Sequence, residues 1–312
     1  MKRNLLGNLI QSLEMLRRFR KFPGAFTITD AAMQFNRVVL PQRFHHRFAG
    51  RQLAERTRIQ QLEASLWKVE VPELGLHFYW PQPPDNNLWF AIEQELETSN
   101  PHYYNTPPIC LTAESLVLDI GSCEGLFAFR VLKNQLARRV IAFEPFPRMR
   151  SLLSRAAEET GVRDRLQIEP MAVGAQTGTA HFTTASVSDG NSLVQTPSRS
   201  DSIEVPVTTL DEYCLRNRFE LHPYDLIKID VEGADLSVLQ GAAQVIRKYR
   251  PQIAVTTYHE VEHAEQMLNL LVSLVPEYRL RLKGFAFWMS PMRPVLLQAS
   301  VQEPLSETSG AR

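Results

Sequence analysis

The stretch that most constrains the fold runs from residue 116 to residue 127 and reads LVLDIGSCEGLF. Its apolar start ends at Asp119, Gly121 and Gly125 enclose a short loop, and apolar residues with helical spacing follow. This pattern predicts a buried strand, a tight glycine turn and the start of a helix, a unit that lets a backbone approach a nucleotide-like ligand. Glycine also occurs in any strained turn, so the pattern alone does not identify a ligand site.

The chain after this turn alternates between short apolar runs and helical patterns. Further strands are predicted at residues 140–143, 166–173, 226–233 and 251–259, added β segments at 178–183 and 203–208, and a closing antiparallel hairpin at 278–282 and 294–299. Such alternation is typical of a mostly parallel sheet with crossover helices on both faces. We therefore expect one α/β domain over residues 67–300, followed by a polar tail at 301–312.

The first 66 residues are predicted to form a basic helical extension. Over residues 1–60, twelve lysines and arginines face three acidic residues. Residues 4–20 carry an apolar stripe, and three interpretations of this helix remain open. It could pack on the following domain, rest on anionic lipid through residues 1–21, or bind a partner protein or a second copy of the chain. Residues 28–66 are also predicted to be helical.

The composition is that of an ordinary globular protein, with 44% apolar and 22% charged residues and no net charge. A zero net charge gives no reason to expect a nucleic-acid partner. The three cysteines form no C-x-x-C pair, which argues against a disulfide framework or structural zinc and suits a reducing cytoplasm. With no apolar run near the ~20 residues needed to span a bilayer, we expect a cytoplasmic location, or one at the inner membrane surface.

Polar residues gather where the predicted strands end. The groups are Asp119 with the glycine turn, Glu144, Met171 with Ala172 and Val173, Asp230 with Glu232, and Tyr258 with His259. In an open parallel sheet, ligands bind outside these strand ends. Glu144 lies about twenty residues beyond the turn, where an acidic side chain can accept both hydroxyls of a ribose. Glu124 inside the loop would repel a pyrophosphate but suits a ligand with a cationic amino-acid end, such as S-adenosylmethionine.

The chain from about residue 67 to residue 299 resembles the FkbM family of S-adenosylmethionine-dependent methyltransferases. The matching pieces are VLDIGSCEG at 117–125, FEP at 143–145, AVG at 172–174, TLD at 209–211 and IKIDVEGA at 227–234. The resemblance implies a class I methyltransferase fold, a Rossmann-like seven-stranded sheet with its last pair antiparallel. It also implies O-methylation of hydroxyls on sugars or natural products.

The resemblance and the strand ends together predict which residues contact ligands. The predicted cofactor site comprises Asp119, Gly121, Ser122, Cys123, Glu124, Gly125, Phe127, Glu144, Pro145, Met171, Ala172, Val173 and Asp230. Tyr103, Tyr104 and Tyr258 are candidates for contact with the acceptor. Two departures from the family pattern stand out. Ser122-Cys123-Glu124 replaces the Ala-Asn of many members, and Asp235 replaces a more frequent glutamate.

Methyl transfer from a sulfonium requires alignment of the acceptor oxygen and removal of its proton. His259 is the first candidate base, because the ordinary histidine pKa of about 6.5 lies near working pH. Asp230 or Glu232 could serve instead, or could orient the histidine. No metal ligand is predicted. A divalent metal at Asp230 with Glu232, or at His259 with His263, is the less favoured interpretation.

These features predict an S-adenosylmethionine-dependent O-methyltransferase acting on a hydroxyl of a sugar, glycan or glycosylated natural product. The alternative is a non-catalytic module of the same fold that binds a membrane or a protein partner through the basic N-terminal helices. Assembly into a homo-oligomer is compatible with both. A nucleic-acid methyltransferase is disfavoured, because Asp230-Val231-Glu232-Gly233 stands where many amino-methylating enzymes carry an Asp/Asn-Pro-Pro-Tyr/Phe loop.

Overall fold

The computed structural model describes residues 5–26, 52–183 and 202–302. The strands are β1 (Arg58–Glu63), β2 (Leu66–Val71), β3 (Leu76–Trp80), β4 (Leu116–Ile120), β5 (Arg139–Phe143), β6 (Leu166–Glu169), β7 (Ala172–Val173), β8 (Gly178–Thr183), β9 (Ser202–Thr208), β10 (Leu226–Ile229), β11 (Gln252–Thr256), β12 (Arg279–Ala286) and β13 (Arg293–Ser300). The helices are α1 (Leu5–Phe19), α2 (Asn86–Leu96), α3 (Leu126–Lys133), α4 (Pro147–Thr160), α5 (Leu210–Asn217), α6 (Asp235–Gln240), α7 (Ala243–Tyr249) and α8 (His263–Leu274).

A seven-stranded sheet with the order β12-β13-β11-β10-β4-β5-β6 forms the centre of the domain. Strand β13 runs antiparallel to both β11 and β12, whereas the pairs from β11 to β6 are parallel. Each face of the sheet is covered by its own apolar cluster. Along β4, Leu118 packs into one cluster and Val117 into the other. Burial on both faces explains why the inner strands are almost continuously apolar. The predicted class I methyltransferase fold is confirmed.

Two small sheets flank the central one, and both correct the sequence-based boundaries. Strands β1, β2 and β3 form an antiparallel meander, so the prediction that residues 58–63 are helical is wrong. Ile59 and Leu62 pack against the apolar cluster, which favours the strand. The meander thus starts before the predicted domain boundary at residue 66.

The third predicted strand also ends earlier than expected. Strand β6 stops at Glu169, and Ala172–Val173 pair with β9 in a separate sheet with β8. Pro170 lies between the two and has no N–H to donate to a ladder, which ends the pairing of β6. This break places Ala172 and Val173 beside the end of β5.

The N-terminal helix α1 packs on the domain, which confirms the first of the three interpretations. Met15 and Phe19 are buried in the core, and Arg18 pairs with Glu262 at 2.8 Å and with Glu265 at 3.0 Å. Contact with lipid or a partner remains a prediction. Among the described residues, none of the helices combines the length and apolarity that crossing a membrane requires. Most of the remaining extension, residues 27–51, and the tail from 303 lie outside the described residues.

Candidate active site

The glycine turn joins β4 to α3 and is packed tightly from two sides. Gly121 has a φ of +80°, and a Cβ there would lie 1.9 Å from the backbone oxygen of Asp230. Gly125 has a φ of +79°, and a Cβ there would lie 2.2 Å from Leu153 Cδ1. Both positions therefore need glycine to dock the turn on β10 and α4, independently of any ligand.

A buried ion pair supports this turn from below. Strands β4 and β10 are parallel, and their register places Lys228 beside Asp119. The Lys228 Nζ lies 2.9 Å from Asp119 Oδ1 and donates a hydrogen bond of 2.8 Å to the carbonyl oxygen of Gly121. Burial opposes the charge of Lys228, but the carboxylates of Asp119 and Asp230 outweigh it and raise the lysine pKa above its usual range. The ammonium group thus stays charged and ties the two strand ends to the turn.

A cavity of about 580 Å³ opens over the carboxyl ends of these strands. Pockets for drug-sized ligands usually span roughly 300–1,000 Å³, so the volume suits a nucleoside-sized molecule. Its wall includes Glu144, Ala172 and Val173, Trp80 and Phe90, and the glycine turn with the side chains that follow β10. A single cavity therefore joins the predicted ribose residue Glu144 to the predicted catalytic residues Asp230 and Glu232.

Two glutamates in the cavity wall have raised pKa values. Burial raises the pKa of Glu144 to about 7, and burial likewise raises the pKa of Glu124 to about 7. The Glu144 Oε1 accepts a hydrogen bond of 2.9 Å from the N–H of Phe146, which fixes the carboxylate at the end of β5. A ligand that donates hydrogen bonds or carries a positive charge would favour the ionised form of both groups.

An acidic cluster surrounds His259 at the ends of β10 and β11. The His259 Nε2 lies 3.2 Å from Glu232 Oε2 and 3.9 Å from Asp230 Oδ1. Its Nδ1 lies 2.8 Å from Asp235 Oδ2. Asp235 is fully buried and accepts further hydrogen bonds from the N–H groups of Val231 and Gly233 and from Thr256. The imidazole is thus held by one buried carboxylate and faces two others.

This setting bears on His259 as the candidate general base, a role that remains a prediction. Burial by itself lowers the histidine pKa, but the carboxylates of Asp235, Glu232 and Asp230 outweigh burial and raise it to about 11. The sequence-based argument used the ordinary histidine pKa and had no means to see three carboxylates converge on one ring.

Comparison with known proteins agrees with this geometry. Residues 119–287, more than half of the chain, match the family model described as the methyltransferase FkbM domain. The chain belongs to the FkbM methyltransferase family. It is therefore an S-adenosylmethionine-dependent methyltransferase, as the sequence motifs predict.

Individual relatives of this FkbM methyltransferase are distant. The 2-O-methyltransferase NoeI of Sinorhizobium fredii is 27% identical over 186 residues, which cover 54% of this chain and 73% of NoeI. The FkbM methyltransferase of Methylobacillus flagellatus is 18% identical with a TM-score of 0.46, and the match covers 82% of this chain and 59% of that one. An O-methyltransferase of Bacillus cereus, solved with S-adenosylhomocysteine, is 13% identical with a TM-score of 0.37, over 61% of this chain and 75% of that one.

The residues of the cavity fit the cofactor of the family. The Ser122 Oγ is buried in the turn and has no hydrogen-bond partner within the protein, so a ligand donor or acceptor can satisfy it. Glu124 in the same turn supplies an acidic group for a cationic amino-acid end. Glu144 supplies a carboxylate at the far side of the turn, and the cavity joins all three.

Most of the predicted site residues of this FkbM methyltransferase lie in the cavity wall. The wall contains Gly121, Ser122, Cys123, Glu124, Phe127, Glu144, Pro145, Ala172, Val173, Asp230, Glu232, Tyr104 and Tyr258. Five predicted residues lie outside that set: Asp119, Gly125, Met171, Tyr103 and His259. Asp119 is fully buried beneath the turn, and the Tyr103 hydroxyl accepts a hydrogen bond of 3.1 Å from Arg130. The ligand contacts assigned to all these residues remain predictions.

Sequence reasoning missed part of the cavity wall. It comprises Trp80, Gln82, Asn87, Phe90, Gln94 and His102, which come from the end of β3, the loop after it, α2 and the loop that follows α2. No motif marks these positions, because they reach the cavity only through tertiary packing. Lys228 was noticeable only as a charge inside an apolar strand.

Proposed function

We propose that the protein is an O-methyltransferase whose acceptor is a hydroxyl of a sugar, glycan or glycosylated natural product. The observation that carries this proposal is the composition of the cavity wall. It includes the aromatic side chains of Trp80, Phe90 and Tyr258 and the amide side chains of Gln82 and Gln94.

This composition matches the chemistry of a saccharide. A sugar ring has apolar C–H faces that pack on aromatic rings and a rim of hydroxyls that exchange hydrogen bonds with amide groups. The buried Trp80 Nε1 has no hydrogen-bond partner within the protein, so its N–H is available to a bound hydroxyl. The relative NoeI is named for methyl transfer to an oxygen, which supports oxygen as the acceptor atom.

The rest of the cavity suits the cofactor in one orientation. We assign the ribose hydroxyls to Glu144, the amino-acid end to the turn at Ser122 and Glu124, and the adenine surroundings to Ala172 and Val173. S-adenosylmethionine supplies a methyl group on a positively charged sulfur, and its transfer to an oxygen leaves a neutral thioether. The protein must then hold the acceptor oxygen in line with that methyl group.

Asp230 is placed to orient the acceptor hydroxyl. Its Oδ2 accepts a hydrogen bond of 2.7 Å from Tyr104, and its Oδ1 accepts one of 3.2 Å from Thr256. Burial, followed by the Asp230 charge, raises the pKa of Tyr104, so the phenol remains a donor. The carboxylate is therefore fixed at the cavity wall, where it can accept a hydrogen bond from the hydroxyl to be methylated.

A methylation assay tests the proposal. The protein is incubated with S-adenosylmethionine and a panel of sugars, glycans and glycosides, and products are sought by mass spectrometry as a gain of one methylene unit. Thiols and amines of similar size serve as controls for the acceptor atom. We expect methyl ethers on hydroxyl-bearing saccharides and an unmodified control set. Products on amines or thiols alone would contradict the proposal.

A further inference from the structure

The cluster of Asp230, Glu232 and His259 has the composition and orientation of a metal site. One nitrogen and two carboxylate oxygens from these residues lie within 4.8 Å of one another. Ligand atoms around an ion with bonds of about 2.1 Å lie roughly 3 Å apart, so small side-chain rotations would bring this set to bonding distance. Glu232 is 40% exposed, which leaves its side chain free to make that adjustment, while Tyr104 and Thr256 hold the Asp230 carboxylate in place.

His259 provides an independent observation that points to a ligand. Its side chain is only 8% exposed, and its Nε2 is directed at the two carboxylates but has no hydrogen-bond partner. The distance of 3.2 Å from Nε2 to Glu232 therefore lacks the angles of a hydrogen bond. A buried ring nitrogen aimed between two carboxylates is the position of a metal ligand.

The Nδ1 side of the His259 ring has the arrangement found behind metal-ligating histidines. A metal-ligating histidine usually gives its second nitrogen to a carboxylate, which fixes the tautomer and the ring orientation. Asp235 does this for His259 Nδ1 at 2.8 Å, and Asp235 is itself fully buried and held by Thr256 at 2.9 Å. Asp235 would therefore be a positioning residue for His259.

We infer that Asp230, Glu232 and His259 bind one divalent transition-metal ion, whose open positions face the cavity and ligate the acceptor hydroxyl. The mixed set of imidazole and carboxylates favours Mn²⁺, Fe²⁺ or Zn²⁺ over Mg²⁺ or Ca²⁺, which prefer oxygen alone. The inference rests on the proposed O-methylation, because an alcohol is a poor nucleophile and a carboxylate is a weak base toward it. A bound cation makes the hydroxyl more acidic, so its proton can pass to solvent while the oxygen bonds to the methyl carbon and the carbon–sulfur bond breaks.

Mn²⁺ binding to the metal-free protein tests the site without any turnover. Electron paramagnetic resonance measures free Mn²⁺ as the protein is titrated, in wild type and in His259→Ala, Glu232→Gln, Asp235→Asn and Glu260→Gln. The last is the matched control, because Glu260 is an exposed carboxylate next to His259 and outside the cluster. Circular dichroism and calorimetric binding of S-adenosylhomocysteine verify that each variant is folded.

We expect one saturable Mn²⁺ site in wild type and in Glu260→Gln. Loss of a ligand in His259→Ala or Glu232→Gln should weaken binding by at least about tenfold, and Asp235→Asn by about 10–100-fold, the usual effect of removing a carboxylate behind a ligand. No saturable binding, or equal binding in every variant, would overturn the inference.

Turnover separates this inference from the proposed function. Full methylation of a saccharide by chelator-treated protein would overturn the metal site and leave the proposed function intact. Site-specific Mn²⁺ binding without methylation of any hydroxyl acceptor would sustain the site and overturn the function.

Discussion

Two charged clusters stand at neighbouring strand ends, and they are built in opposite ways. In the pair of Asp119 and Lys228, one carboxylate meets one ammonium, and the side chains are 0% and 6% exposed. In the cluster of Asp230, Glu232 and His259, two carboxylates meet one imidazole and remain open to the cavity. A balanced, buried pair neutralises its own charge and supports the fold. An unbalanced, open cluster keeps negative charge directed at the space where ligands bind, which is typical of a functional site.

The largest effect should come from breaking the closed pair. Replacing Lys228 by methionine leaves Asp119 as a buried charge without its partner and removes the hydrogen bond to Gly121. We expect Lys228→Met to lower the free energy of unfolding by about 3–5 kcal/mol, measured by urea titration. The double variant Lys228→Met with Asp119→Leu should recover part of that loss. A double variant as unstable as the single one would show that the pair is not the cause.

A substitution in the second cluster should instead lower the rate of methyl transfer and leave the free energy of unfolding nearly unchanged. In Asp230→Asn the amide oxygen can still accept one of the hydrogen bonds from Tyr104 and Thr256, and the other hydroxyl can accept one from the amide N–H, but the negative oxygen that orients the acceptor is lost. We expect kcat to fall by about 10²-fold or more, with unfolding free energy changed by less than about 1 kcal/mol. Calorimetry with S-adenosylhomocysteine provides the control. An equally large loss of its affinity would mean that Asp230 acts on the cofactor rather than on the acceptor.

The contrast also explains how much could be predicted from the sequence. The strand ends that carry Glu144, Asp230 and Glu232 follow from apolar runs and motif order, and the structure places all three in one cavity. The ionisation of His259, which follows β11, depends on three carboxylates between the end of β10 and the first residue of α6, a contact that no local pattern reveals. Part of the cavity wall was missed for a similar reason, since Trp80 and Phe90 come from β3 and α2 and reach one cavity only through tertiary packing.

A smaller effect should distinguish the cofactor end from both clusters. Burial raises the pKa of Glu144 to about 7, and the ionised form accepts the ribose hydroxyls. In the free protein the Glu144 carboxyl keeps its proton below pH 7, and the bound ligand favours the ionised form. Affinity for S-adenosylhomocysteine should therefore rise as pH increases. One such group strengthens binding about tenfold between pH 6 and pH 8.

Calorimetry at pH 6, 7 and 8 measures this contribution. Glu144→Gln should bind about tenfold more weakly at pH 8, as expected from the loss of hydrogen bonds to a charged group, and should lose its share of the pH dependence. Glu124→Gln is the comparison, because burial raises the pKa of Glu124 to about 7 as well and the proposal assigns it to the amino-acid end, so this variant should keep the part of the pH dependence that belongs to Glu144. If Glu144→Gln kept the wild-type affinity and slope, the ribose assignment would be wrong.

The smallest effect is expected where charges pair in solvent. Arg18 of α1 contacts Glu262 and Glu265, but its side chain is 36% exposed and that of Glu262 is 62% exposed. Because water and salt screen such pairs, Arg18→Ala should cost less than about 1 kcal/mol of unfolding free energy. Met15→Ala on the same helix is the contrast, since truncating a buried methionine costs about 2–5 kcal/mol. If Arg18→Ala cost more than Met15→Ala in urea titration, charge rather than the apolar face would hold α1 to the domain. Burial would then not explain why the ion pair of Asp119 and Lys228 stabilises the fold more than the ion pairs of Arg18 do.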